Sequence, residues 1–150
     1  MKYTEEEKRW LKICMAYGML VSIPKENYLK PAFNGESVDI FNKEYGPAFH
    51  SLEDLNTEIQ KGEFKFNPMR VFYEDVKNDY DSFETFLDFN FHLYQNPLEN
   101  VQFKHIEKML MWNFDVFRFI PQKKAFRIET VPSNKTEGTI DDTEFLNPIN

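Results

Sequence analysis

Cysteine and glycine are scarce in this chain of 150 residues, which has one cysteine and five glycines. Because Cys14 has no second cysteine as a partner, the chain can form no internal disulfide and no cysteine-based zinc site. The few glycines form no phosphate-binding loop, no dinucleotide fingerprint and no Gly-x-Ser-x-Gly turn. The recognised motifs of nucleotide binding and of serine hydrolysis are therefore absent.

Basic residues are also outnumbered, with 18 Lys and Arg against 25 Asp and Glu and a formal net charge of -7. A surface that binds phosphates needs clustered Lys and Arg to displace counterions, so we expect no direct binding of nucleic acid. The acidic balance instead favours a basic protein as partner.

Long hydrophobic runs are missing as well. The apolar stretch over residues 11–23 is too short to cross a bilayer. It follows three glutamates rather than a basic region, and no small-x-small cleavage site comes after it. We therefore expect a cytoplasmic protein that does not associate with membranes.

Aromatic residues are abundant, at 17% of the chain, and 16 of them are Phe. Because each aromatic side chain buries a large area, this composition can build a sizeable core in a chain of ordinary domain length. We predict a single α+β domain over residues 1–131, with about four helices and a small antiparallel sheet. Residues 132–150 are polar and predict a mobile tail, although Phe145 and Leu146 could dock back onto the domain.

The most regular pattern lies near the N-terminus. Thr4 and Glu7 have the spacing of a capping box, which predicts a helix over residues 5–20. Apolar residues recur at steps of three and four on one face of this helix: Trp10, Ile13, Cys14, Tyr17, Leu20 and Val21. We expect this face to be buried.

The middle of the chain mixes two periodicities. Residues 37–45 predict a short helix, and Ser51 predicts the start of a second helix that ends at Gly62. Alternation of apolar and polar residues then predicts short strands at 64–66 and 71–73. Residues 82–94 fit a helix in their first part and a strand in their second, so we expect a helical turn that leads into a strand.

The last elements predicted are a helix and a hairpin. Asn96, Pro97 and Glu99 are typical of a helix start, and this helix should reach about Met111. Residues 114–120 and 125–131 then predict a β-hairpin around a four-residue loop. This register places Arg118 opposite Arg127, and such a pair could bind a carboxylate or a phosphate.

The residues that usually carry chemistry do not form a recognisable set. His50, His92 and His105 lack the spacing of paired ligands on one helix face, so we expect no metal and no cofactor. The segment that begins at Asp79 starts like a calcium loop, but Phe83 and Glu84 occupy positions that the loop reserves for a ligand and for glycine. Cys14 lies on the apolar face of the first helix, where cysteine usually serves as a small hydrophobe.

The acidic residues, by contrast, are concentrated. Residues 74–99 contain seven Asp and Glu against Lys77 alone. Such a segment can be a solvated face or a surface that attracts a basic partner. Adding the nearby tyrosines and the two hairpin arginines gives the predicted partner-binding residues: Tyr73, Glu74, Asp75, Asp79, Tyr80, Asp81, Glu84, Arg118 and Arg127.

These observations favour a small, acidic, non-enzymatic protein that binds and inhibits or regulates a protein partner. Immunity proteins and phage-encoded inhibitors have this general character of size, acidity and lack of motifs. Two alternatives stay open: a self-assembling structural component of a phage or virion, and an enzyme with a dispersed site. The residues available to such an enzyme are His50, Glu53, His92, His105, Arg118 and Arg127.

Overall fold

Five α-helices and two small sheets make up the described part of the chain, a compact α+β fold. The structure is a computed structural model and describes residues 1–32 and 37–129. Its helices are α1 (Glu5–Ala16), α2 (Pro68–Val76), α3 (Phe83–Tyr94), α4 (Pro97–Asn100) and α5 (Phe103–Met111). None of the helices in these residues is long and apolar enough to span a membrane.

The larger sheet has four strands in the order β2-β1-β3-β6. Its strands are β1 (Leu20–Ile23), β2 (Tyr28–Pro31), β3 (Gly46–Phe49) and β6 (Phe126–Arg127). Strand β1 is antiparallel to β2 and β3, whereas β6 runs parallel to β3. The sheet is therefore mixed: the predicted antiparallel pairing is found for β1 with β2 and β3, but not for β6 with β3. A separate two-stranded hairpin is formed by β4 (Ile59–Lys61) and β5 (Phe64–Phe66).

Helix α1 begins as predicted, because the Thr4 side chain accepts from the Glu7 amide and the Glu7 carboxylate accepts from the Thr4 amide. It ends at Ala16, four residues early, since Gly18 takes a positive φ of 90° that breaks the helix. The predicted face packs on the core through Trp10, Cys14 and Tyr17, but it leaves out Leu11 and wrongly includes Ile13. Leu11 is 0% exposed, whereas Ile13 is 43% exposed.

Helices α2 and α3 replace segments that were predicted wholly or partly as strands. Asn67 caps α2 by accepting from the Arg70 amide, and Pro68 occupies its first position, so residues 71–73 are helical. Ser82 caps α3 in the same way through the Thr85 amide. The capping residues indicate the helical conformation correctly here, whereas the alternation of apolar residues wrongly indicates a strand.

Three further predictions need correction. The predicted helices at 37–45 and after Ser51 are only 3-10 turns, Val38–Ile40 and Leu52–Asn56. Gly62, with a φ of 65°, forms the tight turn between β4 and β5 and does not end a helix. The helix predicted over 97–111 is divided into α4 and α5, because Val101 and Gln102 take extended conformations.

The predicted C-terminal hairpin falls partly outside the described residues, and so does the whole predicted tail. Residues 115–124 form successive turns, and β6 pairs with β3, so within the described residues Arg127 lies beside Phe49. Lys124 forms an ion pair with the buried Glu7 of α1 at 2.8 Å. Because the second predicted strand continues to residue 131, past the last described residue, the hairpin as a whole stays a prediction.

Aromatic rings dominate the core that these elements enclose. Phe72 of α2 stacks on Tyr94 and on His105, with ring centroids 5.0 and 4.4 Å apart. Phe119 packs against Phe49 of β3 at 6.0 Å. Cys14 is buried among these side chains and is a free thiol. The aromatic composition is therefore used mainly for packing between helices and sheet.

We predict that Leu11→Ala lowers the free energy of unfolding by about 2–5 kcal/mol, since it leaves a cavity under α1. The matched substitution Ile13→Ala should change it by less than about 1 kcal/mol, because that side chain already contacts solvent. Urea unfolding of both variants measures the difference. Equal losses would show that the two sides of α1 are buried to a similar extent.

Candidate functional site

The acidic residues of the predicted partner-binding set, Glu74 to Glu84, run from the last turn of α2 into the first turn of α3. Between the two helices lies a 3-10 turn, Lys77–Asp79. The two tyrosines of the predicted set pack on α3. Tyr73 contacts the rings of Phe83 and Phe86, and Tyr80 contacts Phe86 edge-on at 5.4 Å. The segment is therefore held against α3 by its aromatic residues.

Asp75 is exposed, but its carboxylate contacts a buried side chain. Its carboxylate lies 2.7 Å from Nε2 of His105, a side chain that is 0% exposed. Lys104 and Lys108 approach the same carboxylate oxygen, at 3.5 and 3.8 Å. The hydrogen bond from His105 and the charges of the two lysines hold the pKa of Asp75 below its usual range, against the effect of desolvation.

A third residue extends this contact into a chain. The Tyr94 hydroxyl lies 2.6 Å from Nδ1 of His105. Because an ionised Asp75 can only accept, Nε2 carries the proton and donates to it, and Nδ1 accepts from the Tyr94 hydroxyl. Burial lowers the pKa of His105, so the neutral ring with this arrangement of protons is favoured. Burial likewise raises the pKa of Tyr94, which keeps its hydroxyl a donor.

The two ends of this Tyr94–His105–Asp75 chain lie close in sequence to the residues of an open groove between residues 79–81 and α3. Residues that line the groove come from both sides: Asp79, Tyr80, Asp81, Thr85, Phe89, Asn90 and Leu93. Its volume is about 430 Å³. Asp75 stands one turn before Asp79, and Tyr94 directly follows Leu93, so His105 is tied to both walls of the groove.

The groove combines an apolar surface with unpaired charge. Phe89 is 63% exposed, although it belongs to one of the most buried residue types. Within the described residues, no hydrogen bond or ion pair engages the carboxylates of Asp79, Asp81 or Glu84, whereas Glu74 pairs with Lys77 at 3.0 Å. The predicted acidic set is thus divided into carboxylates with partners inside the chain and carboxylates that face solvent.

The two predicted arginines lie in different contacts and do not face each other. Arg118 lies in a turn, with a φ of 60°. Its guanidinium donates to the Asn96 side chain at 2.8 Å. Arg127 donates to both oxygens of Asp54, at 2.9 and 3.1 Å. Each guanidinium is therefore engaged within the chain, and neither contributes to the groove.

The residues available to a dispersed enzyme site are scattered over separate elements. His50 is buried at the end of β3 against Phe114, with ring centroids 5.2 Å apart. Glu53 is exposed on a 3-10 turn, and His92 is exposed on α3. No group of three or more His, Cys, Asp and Glu is placed to hold a metal ion in the part of the chain that the structure describes.

Three buried groups, His50, Asp115 and Cys14, stand apart from the groove and concern stability. Nδ1 of His50 has no hydrogen-bond partner among the described residues, and burial lowers the pKa of His50 to about 4. The Asp115 carboxylate accepts from the Phe119 and Ile120 amides at 2.8 Å, yet burial raises its pKa to about 6. Burial also raises the pKa of the Cys14 thiol, and the negative charge of Asp115 raises it further.

Sequence reasoning found the acidic wall of the groove and missed the other one. Thr85, Phe89 and Leu93 follow each other at steps of four, which places them on one face of a helix. The signal was present, but it needed residues 82–94 to be recognised as helical from the cap at Ser82. The role of His105 has no local signal, because Asp75 lies 30 residues before it.

We predict that Tyr94→Phe lowers the free energy of unfolding by about 1–3 kcal/mol, because Nδ1 of His105 loses its donor while the ring packing is kept. The matched change Tyr73→Phe removes a hydroxyl that has no hydrogen bond in the described residues. It should change the free energy by no more than about 0.5 kcal/mol. Urea unfolding compares the two, and equal effects would show that the His105 contact contributes nothing measurable.

The next prediction concerns the dependence of stability on pH. Burial lowers the pKa of His50 from 6.5 in the unfolded chain to about 4 in the folded one. The stability that the neutral His50 contributes is therefore lost as pH falls through this window. Asp115 acts in the opposite direction, because its folded pKa of about 6 exceeds the unfolded value. His50→Phe should therefore reduce the loss of stability between pH 6.5 and pH 4 by about 3 kcal/mol, relative to the wild type. Unfolding titrations at several pH values measure it, and parallel curves for both proteins would contradict it.

The chain was also compared with known proteins. No family model, no curated protein and no solved structure matches it. The residue roles described above therefore rest on the geometry of this chain alone.

Proposed function

We propose that this chain is a non-enzymatic protein that binds a basic protein partner through the groove between Asp79 and Leu93, and that it inhibits or regulates this partner by occluding part of its surface. The observation that carries the proposal is a groove lined by two carboxylates, Asp79 and Asp81, that have no partner in the described residues, and by a largely exposed phenylalanine, Phe89. Charged groups attract a partner of opposite sign, and aromatic side chains supply the central contacts of many interfaces.

The charge of the surrounding surface supports this interpretation. Asp79, Asp81 and Glu84 are exposed, and Asp88 follows Glu84 one turn later on α3. Lys77, the single basic residue among residues 74–99, is engaged by Glu74. The surface around the groove is therefore strongly negative, and a cluster of one sign raises the rate of encounter with an oppositely charged protein.

Internal contacts explain why Asp75 is not part of this surface. Its carboxylate is bound to His105 and its side chain is 27% exposed, so replacing it would disturb three helices. A test of the surface charge must leave Asp75 in place. The three carboxylates that can be neutralised without loss of a described contact are those of Asp79, Asp81 and Glu84.

The test compares the wild type with the triple variant D79N/D81N/E84Q. A matched control, E26Q/E44Q/E63Q, removes the same charge from exposed positions elsewhere. Each immobilised protein is incubated with lysate of the source cells, and a captured protein is then purified for stopped-flow association. We expect a basic partner whose association is slowed roughly tenfold by the groove variant and little by the control, with a smaller salt dependence for the groove variant.

Dissociation should change less than association, because exposed charges act mainly on the encounter. Equal association rates and equal salt slopes for all three proteins would contradict the proposal. Circular dichroism of the two variants controls for folding.

A further inference from the structure

We propose that the groove receives the side chain of an arginine from the partner protein, with the guanidinium between the carboxylates of Asp79 and Asp81 and against the ring of Phe89. This inference rests on the proposed function and specifies the chemistry of the partner. It follows from the shape of the groove, from the polar atoms left free in it and from a contact that the chain already makes.

The shape of the groove suits one long side chain. Its volume of about 430 Å³ falls within the range of about 300–1,000 Å³ that is usual for ligand sites. Phe89 and Leu93 contribute an apolar surface on α3, and Asp79 and Asp81 lie on the opposite wall. A ligand that fits both walls has an apolar stem and a cationic end, as arginine and lysine have.

The free polar atoms of the groove are mostly acceptors. Nδ2 of Asn90 donates to the Tyr80 hydroxyl and to the Phe86 carbonyl, at 3.0 and 2.8 Å. This leaves Oδ1 of Asn90 without a hydrogen bond in the described residues, beside the unpaired carboxylates of Asp79 and Asp81. The Tyr80 hydroxyl adds one donor, but the free acceptors outnumber it, which favours a ligand that only donates. Arginine has five N–H groups and no acceptor.

Arginine is favoured over lysine by the exposed ring. A planar guanidinium stacks on aromatic faces and can bind carboxylates through two N–H groups, whereas the ammonium of lysine is compact and strongly hydrated. The same pair of helices already shows such a contact, because the guanidinium carbon of Arg70 on α2 lies 4.0 Å from the ring centroid of Phe83 on α3. Phe89 presents a second ring of α3 with no described cation over it.

The test uses acetylated and amidated tripeptides, Gly-Arg-Gly, Gly-Lys-Gly and Gly-citrulline-Gly, titrated into the full chain and followed by NMR. Citrulline has the shape of arginine without its charge. We expect weak binding of the arginine peptide that shifts the signals of Asn90, Thr85 and Leu93. The citrulline peptide should bind at least about tenfold more weakly, and the lysine peptide should lie between the two.

Variants locate the binding. Phe89→Ala and D79N/D81N should each weaken the arginine peptide by roughly five- to tenfold, and the matched control E26Q/E63Q should leave it unchanged. Equal binding of the arginine and citrulline peptides, or shifts that spread over all acidic faces, would overturn the inference. Tighter binding of agmatine than of the arginine peptide would show that the groove binds a small cation. It would also overturn the inference that a side chain of a protein occupies it.

The two proposals fail separately. In one outcome, the captured partner associates more slowly with D79N/D81N/E84Q than with the wild type, Phe89→Ala leaves its association unchanged, and the peptides bind equally. The arginine inference is then wrong and the proposed function stands. If the arginine peptide binds in the groove but the charge variants leave the association rate of the partner unchanged, the proposed function is wrong and the arginine site stands.

Discussion

The hydrogen bonds of His105 determine how three helices meet. Its imidazole is bound by Asp75 of α2 on one side and by Tyr94 of α3 on the other, and Phe72 covers its face. A buried polar ring is costly unless both nitrogens are satisfied, so the arrangement is stable only when all three helices are in place. The groove at the surface depends on the same contacts, because one of its walls directly follows α2 in the chain and the other is α3.

A consequence of this arrangement is a division within the acidic segment. The carboxylate of Asp75 accepts a hydrogen bond from the buried His105, and two lysines at the surface compensate its charge. The next acidic residues, Asp79 and Asp81, stand in a turn and lack such compensation in the described residues. Net charge alone does not distinguish these two roles. What distinguishes them is position: Asp75 lies in the last turn of α2 and contacts α5, whereas Asp79 and Asp81 follow the end of α2.

Much of the fold could be predicted from the sequence wherever a local signal was decisive. The capping box of Thr4 and Glu7 gave the start of α1, and the apolar alternation gave β5. Elsewhere tertiary packing overrode the pattern. Residues 71–73 alternate like a strand within a nine-residue helix, and α3 carries aromatic residues on several faces, so its period was obscured.

The candidate site was less accessible to prediction than the fold. Its acidic wall follows from composition, since Asp79, Tyr80 and Asp81 are adjacent in sequence. Its other wall depends on α3, and its support depends on His105, whose partners come from two other helices. Contacts between residues so far apart in sequence arise from packing and register, which spacing along one chain does not encode.

Burial of Cys14 gives the molecule a built-in reporter of its own opening. The thiolate is the form that attacks alkylating reagents, and burial suppresses both its formation and its contact with reagent. Labelling must therefore pass through a state in which α1 has separated from the core, so its rate measures how often that separation occurs. Since the chain contains no other cysteine, such a measurement needs no engineered site.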